Sequence, residues 1–164
     1  NDIVKRALSI LENEFHLKHI RLDVNLSSEV QDIFLDANQI EQVLVNLMLN
    51  SIQAMNSKEG MIRVQTRMDN DQKLVQVEIE DNGCGIPAEQ MSKIFEPFYT
   101  TKPKGSGLGL SVSFGIIQNH HGKIDVSSQA GLGTRFSISL PVIFEPETST
   151  LDRHLDGIEQ NPGH

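Results

Sequence analysis

Two glycine clusters stand where main chain must come close to something: "DNGCGI" at residues 81–86 and "GSGLGLS" at residues 105–111. Glycine at this density costs chain entropy, so a fold keeps it where the backbone turns sharply or approaches a ligand. The first cluster is fronted by Asp81, which ends the apolar run "LVQVEIED". A carboxylate at the rim of a core can accept from an exocyclic amino group, such as the 6-amino group that separates adenine from guanine. A lone Asp-Asn-Gly is otherwise simply a tight turn. In the second cluster Gly105, Gly107 and Gly109 lie just before and within the first turn of an expected helix, with Lys102 and Lys104 immediately ahead. Free N–H groups and the positive end of the dipole make such a start an anion site, although a glycine-rich loop taken alone is more often a turn. The dinucleotide fingerprint fails, because its third glycine position is Leu110. No G-x-x-x-x-G-K-[ST] phosphate loop occurs either.

A third polar feature sits inside an apolar helix. Gln42, Asn46, Asn50 and Gln53 interrupt a segment whose apolar residues are Ile40, Val43, Leu44, Val45, Leu47, Met48, Leu49, Ile52, Ala54 and Met55. At ~100° per residue the four amides form one stripe. The rest of such a helix is buried almost all round. A buried amide without a partner costs ~1–3 kcal/mol, so the stripe meets either neighbouring protein groups or a ligand in a cleft.

The elements that must position these groups follow from periodicity. Residues 2–14 carry apolar positions at helical spacing, and "HIRLDVNL" (19–26) alternates as a strand with one buried face. "DIFLD" (32–36) reads as a short strand, after which Asp36 caps the long helix to about Met55. "MIRVQTRM" and "LVQVEIED" read as an antiparallel pair joined by "DNDQK". "AEQMSKIF" (88–95) reads as a short helix after Pro87, and 95–106 as a loop rich in Pro, Thr, Lys and Gly. A helix over roughly 107–120 and the strands "KIDVSS" and "TRFSISLP" complete a domain expected to span 1–143, with a solvated tail over 144–164.

Composition narrows the function classes. The 164 residues are 38% hydrophobic and 22% charged, an ordinary balance for one domain. A net charge of −8 argues against nucleic acid as the main partner, since phosphate backbones call for a basic face. No apolar run approaches the length of a membrane span, so no direct membrane contact is expected of this domain. The single cysteine, Cys84, excludes a disulfide within the chain and fits a cytoplasmic setting, which is compatible with anchoring of the full-length protein in the inner membrane. A start at Asn1 without methionine or signal peptide suggests a piece of a longer chain.

The order of the pieces is more specific than any one of them. The chain resembles the ATP-binding catalytic domain of sensor histidine kinases, in the superfamily that also holds DNA gyrase and MutL. "NLMLN" is similar to that family's N box, "DNGCGIP" to its first glycine box and "IFEPFYTTK" to its phenylalanine box. "GSGLGLS" and "GLGTRFSISLP" resemble the remaining glycine boxes, all in family order between Asp36 and Pro141. The resemblance implies an α/β (α+β) two-layer sandwich, a mixed sheet of about five strands under about three helices, with ATP held between helices and a lid. It implies Asn50 as the Mg²⁺ ligand with Asn46 one turn before it, and Asp81 as the reader of the adenine amino group. Thr134 would help hold Asp81 and water at the base, while Gly83, Gly85 and Ile86 let the backbone approach it. Phe95 and Phe98 would anchor the lid. Thr101, Lys102, Lys104, Gly105, Gly107, Leu108, Gly109 and Leu110 would surround the phosphates.

The implied activity is transfer of the γ-phosphoryl group of Mg-ATP to a histidine, with Asn46, Asn50 and Lys102 as the catalytic group. Relatives that hydrolyse ATP carry a glutamate base where this chain has Asn46, so retention of ATP without hydrolysis is expected. The nucleophile would come from a separate dimerisation and phosphoacceptor domain, with a response regulator downstream. None of the six histidines lies in the phosphoacceptor pattern, and His120 and His121 suit the negative end of a helix. The chain departs from the family where Gln53 replaces a lysine common three residues after the Mg²⁺ asparagine. The lid segment "FYTTKPKGSGLGLS" is similar to that of nitrogen-regulation kinases. Two other readings stand beside the kinase: an adenine-nucleotide-sensing module without catalysis, and an anti-sigma-type serine kinase of the same fold.

Overall fold

A computed structural model describes residues 1–55, 59–69, 71, 73–102 and 105–142. The five strands form one mixed sheet in the order β1-β2-β3-β5-β4. These are β1 (Arg21–Leu26), β2 (Met61–Asp69), β3 (Leu74–Asp81), β4 (Lys123–Gln129) and β5 (Gly133–Pro141). β1 pairs parallel with β2, and the other pairs are antiparallel. The parallel pair requires a crossover, supplied by the long helix α3 (Ala37–Ala54). Strict alternation along β2 and β3 sends Ile62, Val64, Val75, Val77 and Ile79 inwards. On the outward face Arg63 bridges Asp23 at 2.8 Å, and Arg135 meets Glu80 at 2.9 Å.

The second layer holds α1 (Asp2–Ile10), α3 and α4 (Gly109–Asn119), with α2 (Glu12–Leu17) as a short appendage. Buried Ile40, Val43, Leu44, Leu47, Met48 and Ile52 of α3 lie at the centre of one hydrophobic cluster. Its N-terminus is capped as expected: Asp36 Oδ1 accepts from the N–H groups of Asn38 and Gln39, each at 3.0 Å.

Three local expectations need correction. The helix expected over 2–14 is broken at Leu11, whose φ of −99° and ψ of 4° end α1 before α2 restarts. "DIFLD" is not a strand. Ile33 and Leu35 lie partly buried on the core, and the Asp36 N–H donates to His120 Nε2 at 3.1 Å instead of to a ladder. "AEQMSKIF" forms only a 3₁₀ turn at Ala88–Gln90, followed by i→i−3 bonds from Lys93 to Gln90 and from Glu96 to Lys93. Ile94 is its only fully buried side chain and Phe95 is partly buried on the core, so the segment buries little to offset helix nucleation. The final helix starts at Gly109, because Gly107 takes φ +69° and Leu108 is the N-cap. His120 and His121 do close it, but His120 Nδ1 binds Ile116 O at 2.8 Å while Nε2 accepts from Asp36. The expected tail over 144–164 lies outside the described residues.

Candidate functional site

A cavity of about 510 Å³ opens between α3, the end of β3 and the loop leading into α4. Its floor is Asp81, the last residue of β3 and 5% exposed. The inward-facing register of the strand aims the carboxylate at the helix layer, where Ser51 of α3 donates to Oδ2 at 2.8 Å. Oδ1 accepts the Gly83 N–H at 2.9 Å and the Thr134 N–H at 3.3 Å. Burial pushes the Asp81 carboxyl above its ordinary value, and these three hydrogen bonds oppose that shift by favouring the ionised form. An ionised carboxylate has about four acceptor sites. Three are used, which leaves one for a donor arriving from the cavity.

The loop after Asp81 is tied down on both sides. Asn82 Oδ1 accepts the Met61 N–H at 2.7 Å, and the Cys84 N–H donates to Ala54 O at 3.0 Å. The Gly131 N–H in turn donates to Cys84 O at 2.7 Å. Gly85 takes φ +68°, and a Cβ there would run into the carbonyl of Gln129. Only glycine allows both the turn and the contact.

At the other end of the cavity α3 presents its amides. Asn46 Nδ2 donates to Ser113 Oγ of α4 at 2.9 Å, which couples the two helices. Lys102 extends its ammonium onto Asn50 Oδ1 at 3.1 Å and Gln53 Oε1 at 2.6 Å. Burial lowers the Lys102 pKa. Two amide oxygens thus already converge on one cation, a donor set that suits a hard divalent ion sharing the remaining ligands with phosphate oxygens and water. Among the described residues no group of three or more His, Cys, Asp or Glu is gathered to hold a metal. A metal here needs oxygens from its ligand as well.

The loop entering α4 is held by its backbone. The Phe98 N–H donates to Gly107 O at 2.9 Å, and a Cβ on Gly107, at φ +69°, would strike the Phe98 carbonyl carbon. The base of the loop is fastened by the rings of Phe95 and Phe114, whose centroids lie 5.3 Å apart. α4 has no side-chain cap and no acidic residue in its first turn; the Leu108 N–H meets Ser106 Oγ at 3.4 Å, and the N–H groups of the turn that follows suit an anion.

Asn46, Asn50, Asp81, Gly85, Ile86, Thr101, Lys102, Gly105, Gly107, Gly109, Leu110 and Thr134 all line this one cavity. Gly83 does not; it packs against the backbone of Ala54. Phe98 is 75% exposed and Leu108 38% exposed, and neither is a lining residue. Lys104 lies outside the described residues. Of the amide stripe, Gln42 is exposed and away from the cavity, while the other three reach it. Sequence reasoning missed Ser51, Ser113 and Ser128. The signal for Ser51 was available, since a hydroxyl next to Asn50 falls on the buried side of the same helix and must find an acceptor. Among the described residues no helix is long and apolar enough to cross a membrane.

Comparison with known proteins agrees with this geometry. Residues 35–143 match the family described as "Histidine kinase-, DNA gyrase B-, and HSP90-like ATPase". The signal transduction histidine-protein kinase AtoS of Escherichia coli (strain K12) is 38% identical over 142 residues, covering 87% of this chain and 23% of AtoS. Sporulation kinase E of Bacillus subtilis (strain 168) is 34% identical over 140 residues, covering 85% of this chain and 19% of that protein. The chain therefore spans roughly a fifth of the length of these relatives. The solved catalytic domain of histidine kinase ThkA superposes with a TM-score of 0.76 at 31% identity, covering 87% of this chain and 92% of that one. ThkA has also been solved with the response regulator protein TrrA, where the TM-score is 0.73 at 29% identity, covering 87% of this chain and 40% of that one.

Proposed function

Because this chain belongs to the histidine kinase-, DNA gyrase B- and HSP90-like ATPase family, we propose that it binds Mg-ATP and donates the γ-phosphoryl group to a histidine on a separate dimerisation and phosphoacceptor domain. The observation that carries the reading is Asp81: a buried carboxylate, held by three donors, with one acceptor site left for an exocyclic amino group. The base lies against Gly85 and Ile86, and the phosphates reach the free N–H groups at the start of α4. Lys102 leaves the α3 amides to meet the phosphates. Asn50 Oδ1 would hold a Mg²⁺ ion, which would supply charge neutralisation at the phosphates.

Asn46 bears on the type of reaction. An amide cannot take a proton from water, and its Nδ2 is engaged by Ser113. ATP is then held without a base to hydrolyse it, and the acceptor imidazole nitrogen forms the new P–N bond as the P–O bond to ADP breaks. Catalysis rests on positioning and charge stabilisation. The relatives' place in signalling, and ThkA's complex with TrrA, support a response regulator as the next acceptor. By this reading the domain is a cytoplasmic unit spanning 1–143.

Calorimetric titration of ATP with and without Mg²⁺ tests the binding half of the proposal. The expected outcome is tighter binding with Mg²⁺, no hydrolysis by the domain alone, and phosphoryl transfer once a helical domain bearing the histidine is supplied. Steady release of inorganic phosphate by the isolated domain would refute the role given to Asn46.

A further inference from the structure

Asp81 and Thr134 are register partners across β3 and β5, and both line the cavity. Thr134 is 6% exposed, and its hydroxyl lies 2.9 Å from Ser128 Oγ, a contact in which either oxygen could supply the proton. The other bonds of Ser128 decide which does. Its Oγ is 2.9 Å from Gly133 O, a carbonyl oxygen that can only accept, so the single serine proton goes there. The Ile86 N–H donates to the same Oγ at 2.8 Å and occupies one lone pair. Only a lone pair is left for Thr134, which must therefore donate its own proton to Ser128. The Thr134 oxygen then shows lone pairs alone to the cavity, beside the free acceptor site of Asp81. Two acceptors and no donor make up this part of the floor. An exocyclic –NH₂ group carries two N–H donors and satisfies both. A 6-oxo purine sets a further acceptor at that position, and its single N1–H can meet at most one of the two.

We infer that Ser128, which does not line the cavity, is a specificity-determining positioning residue: by taking the Thr134 proton it keeps the base-binding floor an all-acceptor surface that selects 6-amino over 6-oxo purine nucleotides. The inference rests on the adenine reading of the same cavity, and it adds a residue outside the five sequence boxes.

The test is calorimetric titration of ATP and of inosine triphosphate, which differs at the 6-position, into the wild type and four variants, with thermal melts as a check of folding. Ser128→Ala frees the Thr134 hydroxyl to turn its proton into the cavity. The ATP-to-ITP affinity ratio should then fall roughly 3- to 10-fold, the worth of one neutral hydrogen bond. Ser128→Thr keeps an oxygen in place and should retain the wild-type ratio. In a Thr134→Val background, where no hydroxyl remains to orient, adding Ser128→Ala should leave the ratio unchanged. Equal weakening of ATP and ITP by Ser128→Ala, or a ratio change that persists in the Thr134→Val background, overturns the inference while leaving the ATP site standing. A wild type that binds no ATP overturns the adenine reading and this inference with it.

Discussion

Replacing Asp81 by asparagine should separate ligand binding from stability, because the two respond to the carboxylate in opposite directions. The asparagine oxygen can keep the bonds from the Gly83 and Thr134 N–H groups. Its –NH₂ then lies where Oδ2 was and donates to Ser51 Oγ, which can turn its proton to a carbonyl of its own helix. The fold keeps three hydrogen bonds and loses a buried charge. Burial holds the Asp81 carboxyl above its ordinary value of 3.8. Its contribution to stability is therefore complete below that unfolded-state value and is lost as pH rises through the higher folded-state value. At neutral pH the ionised group is a net cost, and Asp81→Asn should match or exceed the wild-type Tm. Binding goes the other way. Losing a hydrogen bond to a charged acceptor costs about 1.5–3 kcal/mol. Setting –NH₂ against –NH₂ leaves donors unpaired at about 1–3 kcal/mol more. ATP affinity should thus fall between about a hundredfold and ten-thousandfold, at 1.4 kcal/mol per decade. Calorimetric titration and scanning calorimetry at neutral pH read both quantities on one sample. A Tm several degrees below wild type would make Asp81 a structural residue first, and an ATP affinity within threefold of wild type would remove adenine from this site.

The same carboxylate sets a pH dependence: ATP affinity should fall as pH drops from neutral through the raised Asp81 value, and that fall should be absent in Asp81→Asn. Asn50→Ala should abolish the increment that Mg²⁺ adds to ATP affinity, read as the ratio of dissociation constants with and without the ion, because the amide oxygen that now holds Lys102 is gone. Gly107→Ala forces a side chain into φ +69° and into the Phe98 carbonyl carbon. A cost of about 1–3 kcal/mol should open the loop locally, so that limited proteolysis between residues 98 and 107 accelerates while the core melts at an unchanged temperature.

What was legible in the sequence follows a physical division. Strands with strict alternation, such as β2 and β3, and a helix with an Asp cap and a continuous apolar face, such as α3, were readable because one local pattern settles each. "DIFLD" and "AEQMSKIF" were misread because their fate depends on distant groups: His120 takes the Asp36 N–H, and the second segment fully buries only Ile94. Many of the residues that line the cavity were legible through family motifs, yet the hydroxyls that hold them were not. Ser51, Ser113 and Ser128 each bond a predicted residue from another element or another turn of the chain. A serine offers no periodicity and no charge, so nothing local marks its partner. Yet these hydroxyls decide which atoms of Asp81, Asn46 and Thr134 remain available to a ligand. A motif names the groups that touch a nucleotide; the direction in which each presents a proton or a lone pair is a property of the tertiary structure, and selectivity for one base over another depends on it.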